Sequence, residues 1–248
     1  MRIAIAGATG RIGTLTIAEL ETGGHQIVPV SRAAGVDAYT GAGLDAALAG
    51  TDAVIDTTNT HASDEAAIVD FFGTTTRNLL AAGERAGVRH HVLLSIVGIE
   101  HGQQVVHYSG KREQERLVSQ GPVPWTIVRV TQFHDFAAMV AGWTERDGVA
   151  TIAPVLVQPI AQADVAAALA DVAPAAPLNA TVDVAGPRTE DLVDMARRTY
   201  AARGQEITLV PTWRGVFGVD MAGEVMLPGD KARLGHITFD DWLADGAR

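Results

Sequence analysis

The chain opens MRIAIAGATGRIG, and this stretch, Met1 to Gly13, constrains the possible folds more than any other. Arg2, Ile3, Ala4, Ile5 and Ala6 make a short buried strand, and Ile12, Leu15, Ile17, Ala18 and Leu20 supply apolar positions for a helix directly after it. Between them stand three glycines in the spacing G-x-x-G-x-x-G, a variant of the G-x-G-x-x-G fingerprint, so their roles are assigned by analogy. Gly7 permits the tight turn after the strand, Gly10 lets a pyrophosphate approach the backbone, and Gly13 lets the helix pack closely on the sheet. Thr9, Arg11 and Ile12 complete the cofactor-binding turn. A phosphate there would meet free N–H groups and the positive end of the helix dipole.

The rest of the chain continues the alternation of strand and helix that builds a parallel sheet wound on both faces. Strands are expected at Gln26 to Val30, Ala53 to Ile55, His91 to Ser95 and Trp125 to Val130. Helices are expected around Leu44 to Leu48, Asp64 to Ala86 and Gln104 to Ser119. Later, short strands around Val155 to Val157, Thr181 to Val184 and Ile207 to Val210 interleave with helices near Asp164 to Val172 and Glu190 to Ala202. The expected fold is therefore α/β, a doubly wound Rossmann-type parallel sheet with a small C-terminal substrate-binding lobe. Residues 1–248 read as one domain, with a nucleotide-binding core over about 1–150 and the substrate-binding part over about 151–248, because no repeat or Pro/Gly/Ser-rich linker divides them.

Composition narrows the function. The absence of cysteine removes disulfides, thiolate zinc sites, iron–sulfur clusters and cysteine nucleophiles. A net charge of −10 argues against nucleic acid or an anionic membrane as partner. No stretch approaches the roughly 18 apolar residues that span a bilayer, and no basic leader precedes an apolar segment, so a cytoplasmic location is expected. Oligomeric state is not readable.

Ligands of open parallel sheets lie beyond the carboxyl ends of the strands. The residues there are Gly7 to Gly13, Ser31 and Arg32, Thr57, Thr58 and Asn59, Ser95 to Gly98, and Arg129 to Phe133. An acid after the second strand would bond the adenosine ribose of NAD, whereas Ser31 and Arg32 offer a hydroxyl and a guanidinium suited to a 2′-phosphate. NADP(H) is accordingly favoured over NAD(H). Thr131, Gln132 and Phe133 stand where the nicotinamide end would lie.

The chain resembles the atypical short-chain dehydrogenases/reductases, in the NmrA-like branch. The resemblance is carried by GATGRIG at Gly7 to Gly13, LSIVG at Leu94 to Gly98, KREQE at Lys111 to Glu115, PWTIVRVTQF at Pro124 to Phe133, QPIAQADVA at Gln158 to Ala166 and TFDDWL at Thr238 to Leu243. It implies a Rossmann fold that binds NADP(H), with activities from quinone, carbonyl or imine-type reduction to nucleotide sensing without turnover.

Typical short-chain reductases use a Tyr as proton donor, a Lys four residues later that lowers the Tyr pKa and holds the ribose, and a Ser that orients the carbonyl. Ser95 and Lys111 can be placed here, but the position four before Lys111 is His107, and Tyr108 stands three before it. Both neighbour Lys111 on one helical face. Lys111 is the candidate ribose anchor, Tyr108 a proton donor from an altered angle, and His107 a possible replacement for the tyrosine. Reduction of a quinone needs no side-chain acid, because water can protonate the stabilised product.

Other features read as structural. His90 and His91 point to opposite strand faces, and His134 with Asp135 lacks further ligands, so no metal is expected. Glu115 is placed for a helical ion pair with Lys111, whereas the resemblance implies an acid that orients that lysine. Asp164 caps the helix from Val165 to Ala170. Phe136, Met139, Val140 and Trp143 recur at helical spacing, as core or as one wall of a pocket, and Trp213, Phe217 and Met221 repeat the pattern. The expected function is an NADP(H)-dependent oxidoreductase passing hydride to a small apolar acceptor, a quinone or conjugated carbonyl. The alternatives are a non-catalytic NADP(H)-binding sensor, or an isomerase or epimerase on the same fold.

Overall fold

The structure is a computed structural model that describes residues 1–102 and 105–246. The opening strand is β1 (Arg2–Ala6), with every side chain from Ile3 to Ala6 fully buried. Burial of consecutive residues means that both faces of the sheet are covered, as expected when crossover helices alternate between them. The chain continues through α1 (Arg11–Thr22), β2 (Gln26–Val30), α2 (Leu44–Leu48), β3 (Ala53–Asp56), α3 (Glu65–Ala86), β4 (His90–Ile96), α4 (Val106–Ser119) and β5 (Trp125–Val130). Gln104, the expected start of α4, lies outside the described residues. Then come α5 (Phe136–Thr144), β6 (Val149–Ile152), β7 (Leu156–Val157), α6 (Gln162–Val172), β8 (Ala180–Ala185), β9 (Glu190–Asp191), α7 (Leu192–Ala202), β10 (Thr208–Pro211), β11 (Arg233–Leu234) and α8 (Phe239–Ala244).

Seven strands form one sheet in the order β11-β8-β5-β4-β3-β1-β2. The pairings of β1 with β2 and β3, of β3 with β4 and of β8 with β11 are parallel. The winding direction reverses at β1, with β2 on one side and β3 on the other, which makes the end of β1 the topological switch point of the sheet. The loop after β2 adds no further strand outside β2. Gly35, Gly41 and Gly43 take positive φ there, which interrupts extended backbone, and the Asn78 amide on α3 donates to the carbonyls of Ala38 and Tyr39 at 3.1 and 2.8 Å.

The chain divides into two compact units, 1–95 with 106–129 and 165–182, and 96–105 with 130–164 and 183–248. In the first, Ala4, Ala6, Val28, Val30, Val54, Leu93 and Ile127 from the sheet bury against Leu44 and Leu48 of α2, Leu79 and Leu80 of α3 and Val118 of α4. Each valine, leucine or isoleucine among them contributes about 1.5–3 kcal/mol by leaving water. In the second, β6 pairs with β10 in parallel and β7 with β9 antiparallel, and α5 packs on α7. Among the described residues no helix is long and apolar enough to cross a membrane.

Candidate functional site

Parallel register brings the first three strand ends to one level. Ala6 of β1 lies opposite Val30 of β2 and Asp56 of β3, so Gly7, Ser31 and Thr57 leave the sheet side by side. Gly7 turns with φ +81°, and a Cβ on it would fall 2.8 Å from the Thr57 carbonyl oxygen. Gly13, buried in the first turn of α1, is stricter: a Cβ there would sit 2.3 Å from the Gly7 carbonyl oxygen. Gly10 is the N-cap of α1 without a side-chain cap, and the first turn holds no acid. The amides that open α1 lie beside the exposed residues Thr9, Gly10 and Arg11, while Ile12 is buried. Such a backbone cradle suits a phosphate group.

Ser31 and Arg32 follow β2 in a 3₁₀ turn, Arg32–Ala34, in which the Ser31 hydroxyl accepts from Ala34 N at 3.3 Å. The Arg32 side chain is exposed and makes no hydrogen bond or ion pair among the described residues. Beyond β3, the Thr57 hydroxyl donates to Ala6 O at 2.8 Å and Thr58 is folded onto Asp56, which leaves exposed Asn59 as the outermost polar group of the three.

Lys111 lies on the buried face of α4, with 5 % of its surface exposed. Its Nζ donates to Leu94 O at 2.7 Å and to Gln114 Oε1 at 2.6 Å, and it stands 5.0 Å from the centre of the Phe72 ring. Gln114 in turn donates through Nε2 to Asp56 Oδ2 at 3.1 Å and Thr76 Oγ1 at 3.2 Å. Burial pushes the Lys111 ammonium down to about 8, against the opposing pull of the Asp56 and Glu115 charges. One turn earlier, His107 meets the edge of Phe72, and burial followed by the Lys111 charge lowers it to about 4. At neutral pH it is an uncharged imidazole. Tyr108 is buried on the same helix. On β4, the Ser95 hydroxyl is fully buried and has no hydrogen-bond partner among the described residues.

In the second unit, Thr131 donates from its hydroxyl to Gln158 O at 2.6 Å and from its backbone to Val184 O at 3.1 Å. Gln132 accepts Ile160 N on its backbone oxygen at 2.9 Å, yet both polar atoms of its buried side-chain amide lack a partner among the described residues. Phe133 is half-buried and bridges to Ile160. His134 is enclosed by Phe239 and Trp242, and its Nε2 lies 3.1 Å from Ile237 O. Phe217 and Met221 are buried, Trp213 is half-buried, and Met139 and Trp143 stay largely exposed on α5.

Two acids are engaged differently from the expectation. Glu115 pairs with Arg129 of β5, not with Lys111, because residue 114 rather than 115 faces the lysine across the buried side of α4. Asp164 lies inside the first turn of α6, and its carboxylate accepts from His236 N and Ile237 N, both at 3.0 Å, so it anchors the C-terminal segment rather than capping the helix. Asp56 and Gln114 were missed. The signals were there: a charged residue closing the apolar run AVID, and an amide three residues after Lys111 on one helical face.

Residues 7–175, more than half of the chain, match the family described as NAD(P)H-binding. The (4-alkanoyl-5-oxo-2,5-dihydrofuran-3-yl)methyl phosphate reductase of Streptomyces griseus is 33% identical over 146 residues, which are 53% of this chain and 48% of the relative. The chain thus matches about half the length of that curated relative. Among solved structures, the NADPH-dependent quinone oxidoreductase of Escherichia coli in complex with NADPH is similar with a TM-score of 0.69 and 20% identity, over 85% of this chain and 78% of that one. A short-chain dehydrogenase/reductase superfamily protein from Agrobacterium tumefaciens with bound NAD is similar with a TM-score of 0.73 and 17% identity, over 100% and 96%. At these identities the structures establish the fold, a Rossmann-type doubly wound sheet. From the matched span and the glycine turn that opens it, the chain belongs to the NAD(P)H-binding family.

Proposed function

We propose that the protein is an NADP(H)-dependent reductase that delivers hydride to a small, flat, conjugated acceptor, a quinone or an α,β-unsaturated carbonyl. The observation that carries this reading is the buried Lys111 ammonium on α4 beside β4, in the same unit as the glycine cradle and as an unpartnered Ser95 hydroxyl. The names of similar proteins support it: one is a phosphate-ester reductase named for a dihydrofuran-ring substrate, another an NADPH-dependent quinone oxidoreductase.

Gly7, Thr9, Gly10, Arg11, Ile12 and Gly13 hold the pyrophosphate, chiefly through backbone amides. Arg32, with its unengaged guanidinium, and Ser31 receive the 2′-phosphate that selects NADP(H) over NAD(H). Thr57, Thr58 and Asn59 border the adenosine half, and Lys111 bonds the nicotinamide ribose. Thr131, Gln132 and Phe133 take the nicotinamide end, Gln132 with an amide that can donate and accept at once. The cofactor, when bound, supplies a hydride from its nicotinamide ring. Ser95 orients the acceptor oxygen by donating its unused proton. Neutral His107 cannot act as a strong acid near pH 7, so Lys111 or Tyr108 steadies the charge that develops on that oxygen and solvent completes the protonation.

The same weak acidity of His107 favours a second reading, a sensor that binds the nucleotide without turning it over. Calorimetric titration with NADPH and NADH, followed by NADPH oxidation against a panel of quinones and conjugated enones, separates the two. Tight NADPH binding with turnover supports the reductase, tight binding without turnover the sensor, and no binding of either nucleotide sinks both.

A further inference from the structure

Asp56 is fully buried at the end of β3, and every hydrogen bond it makes comes from a donor. Oδ1 accepts from Thr58 N at 2.9 Å and from the Thr58 hydroxyl at 2.6 Å, and Oδ2 accepts from Gln114 Nε2 at 3.1 Å. A carboxylate can only accept, which leaves the Gln114 amide one orientation: its NH2 toward Asp56 and Thr76, its oxygen toward Lys111. The amide thereby joins a buried carboxylate to a buried ammonium without direct contact between them. Leu94 O receives a second Lys111 proton at 2.7 Å and fixes the direction of the side chain.

We propose that Asp56, acting through Gln114, is a positioning residue that keeps Lys111 charged and oriented for the nucleotide. The proposal rests on the reading of Lys111 as a nucleotide contact. The arrangement answers a physical problem. An ammonium with 5 % exposure loses its hydration shell, and a neutral amide by itself returns only part of that loss. The titratable groups whose charge acts on the lysine are Asp56 from β3 and His107 and Glu115 from α4, and beside Asp56 stands His91 from β4. Helix α3 contributes Thr76 and the Phe72 ring, which do not titrate in this range. His107 opposes the ammonium and Glu115 supports it while paired with Arg129, but Asp56 is the acid joined to it by a hydrogen-bonded bridge, through Gln114. Substituting Asp56 by Asn would remove the charge and also allow the Gln114 amide to turn its NH2 toward Nζ.

The chain contains two lysines, Lys111 and the exposed Lys231, which makes the test direct. In the full chain with lysine isotopically labelled at Cε, two NMR signals are expected, and that of Lys111 titrates below the ordinary lysine range. Asp56→Asn is expected to lower the Lys111 midpoint by about 1 pH unit, with Gln114→Leu moving it the same way. Asp56→Asn combined with Gln114→Glu puts the carboxylate directly against Nζ and should bring the midpoint back to the wild-type value or above it. If Asp56→Asn does not fold, Gln114→Leu decides alone, since leucine fills a similar volume. An unmoved Lys111 midpoint in variants with native near-ultraviolet circular dichroism overturns the proposal, as does a double variant that fails to restore it. Adding NADPH to the wild type tests the underlying reading separately: a Lys111 signal that ignores bound nucleotide removes the ribose contact, whatever the pH titrations give.

Discussion

Glu115 and Arg129 are joined by two hydrogen bonds, Nε to Oε1 at 2.8 Å and Nη2 to Oε2 at 2.7 Å, which tie α4 to β5 one helical turn beyond Lys111. The side chains are 12 % and 20 % exposed, so solvent screens the pair only partly. Fork-to-fork geometry of this kind holds a helix in register as well as in place. Glu115→Gln is expected to cost about 2 kcal/mol, because it removes the carboxylate charge opposite a largely buried guanidinium. Urea unfolding at neutral pH checks it, and a loss within about 0.5 kcal/mol would mean that the pair behaves as a surface ion pair.

Gly13→Ala should be more damaging than Gly10→Ala. The added methyl at Gly13 would meet the Gly7 carbonyl at 2.3 Å, whereas at Gly10 the same atom lies 3.2 Å away and is absorbed by a small shift. Overpacking against backbone costs about 1–3 kcal/mol, and the forced movement of the turn abolishes nucleotide binding. Thermal melts and calorimetry on the two variants give the order. Equal effects would show that backbone approach at Gly13 is not what shapes the turn.

Much of this was legible in the sequence, for reasons that can be named. The spacing of Gly7, Gly10 and Gly13 between an apolar strand and a helical pattern fixes a turn that few backbones satisfy, and buried parallel strands announce themselves as short apolar runs. What stayed hidden was the pairing of polar side chains across elements. Nothing local distinguishes Glu115 facing Lys111 from Glu115 facing Arg129, since residues three and four away on a helix are both neighbours and the angle of α4 on the sheet decides between them. Asp164 was misread in the same way, because its partners, His236 and Ile237, are more than 70 residues distant.

Stability should fall as the medium is acidified, with His91 as one of the causes beside His107. Burial in the core holds His91 at about 4, far below the 6.5 of an exposed histidine. The sign follows from proton counting: between pH 6.5 and 4 the unfolded chain takes up a proton that the folded one refuses, so acid favours unfolding. The stability is fully present above 6.5 and is lost as pH falls toward 4, by as much as about 3 kcal/mol for this one group. Urea midpoints measured across that window in the wild type and in His91→Asn should diverge, with the variant showing the flatter dependence. Parallel curves would assign the acid sensitivity to other groups.

Arg32→Ala should separate the two nucleotides. The guanidinium has no partner among the described residues, so its removal disturbs no internal contact. Loss of a charge-assisted bond to a phosphate weakens NADPH binding by about 10- to 100-fold and leaves NADH unchanged. Calorimetry with both nucleotides measures this. An equal loss for both would place Arg32 on a group that the nucleotides share.

Gln132→Leu should stabilise the ligand-free protein and weaken its response to ligand. The side chain is 6 % exposed, and neither Nε2 nor Oε1 has a partner among the described residues. A buried amide without partners is destabilising, and leucine fills nearly the same volume without it, for a gain of about 1–2 kcal/mol. In a chain of this size that raises Tm by about 2–8 °C. The same change removes the donor and acceptor assigned to the nicotinamide end, so the further rise in Tm on adding NADPH should shrink, in proportion to the logarithm of the ratio of the two affinities. Both melts belong to one experiment, with and without nucleotide. A ligand-free variant less stable than the wild type would mean that the amide is already satisfied in the free protein and serves the fold. A more stable variant with an undiminished NADPH response would leave the amide to the acceptor, and the next measurement would be KM for a quinone against KM for NADPH.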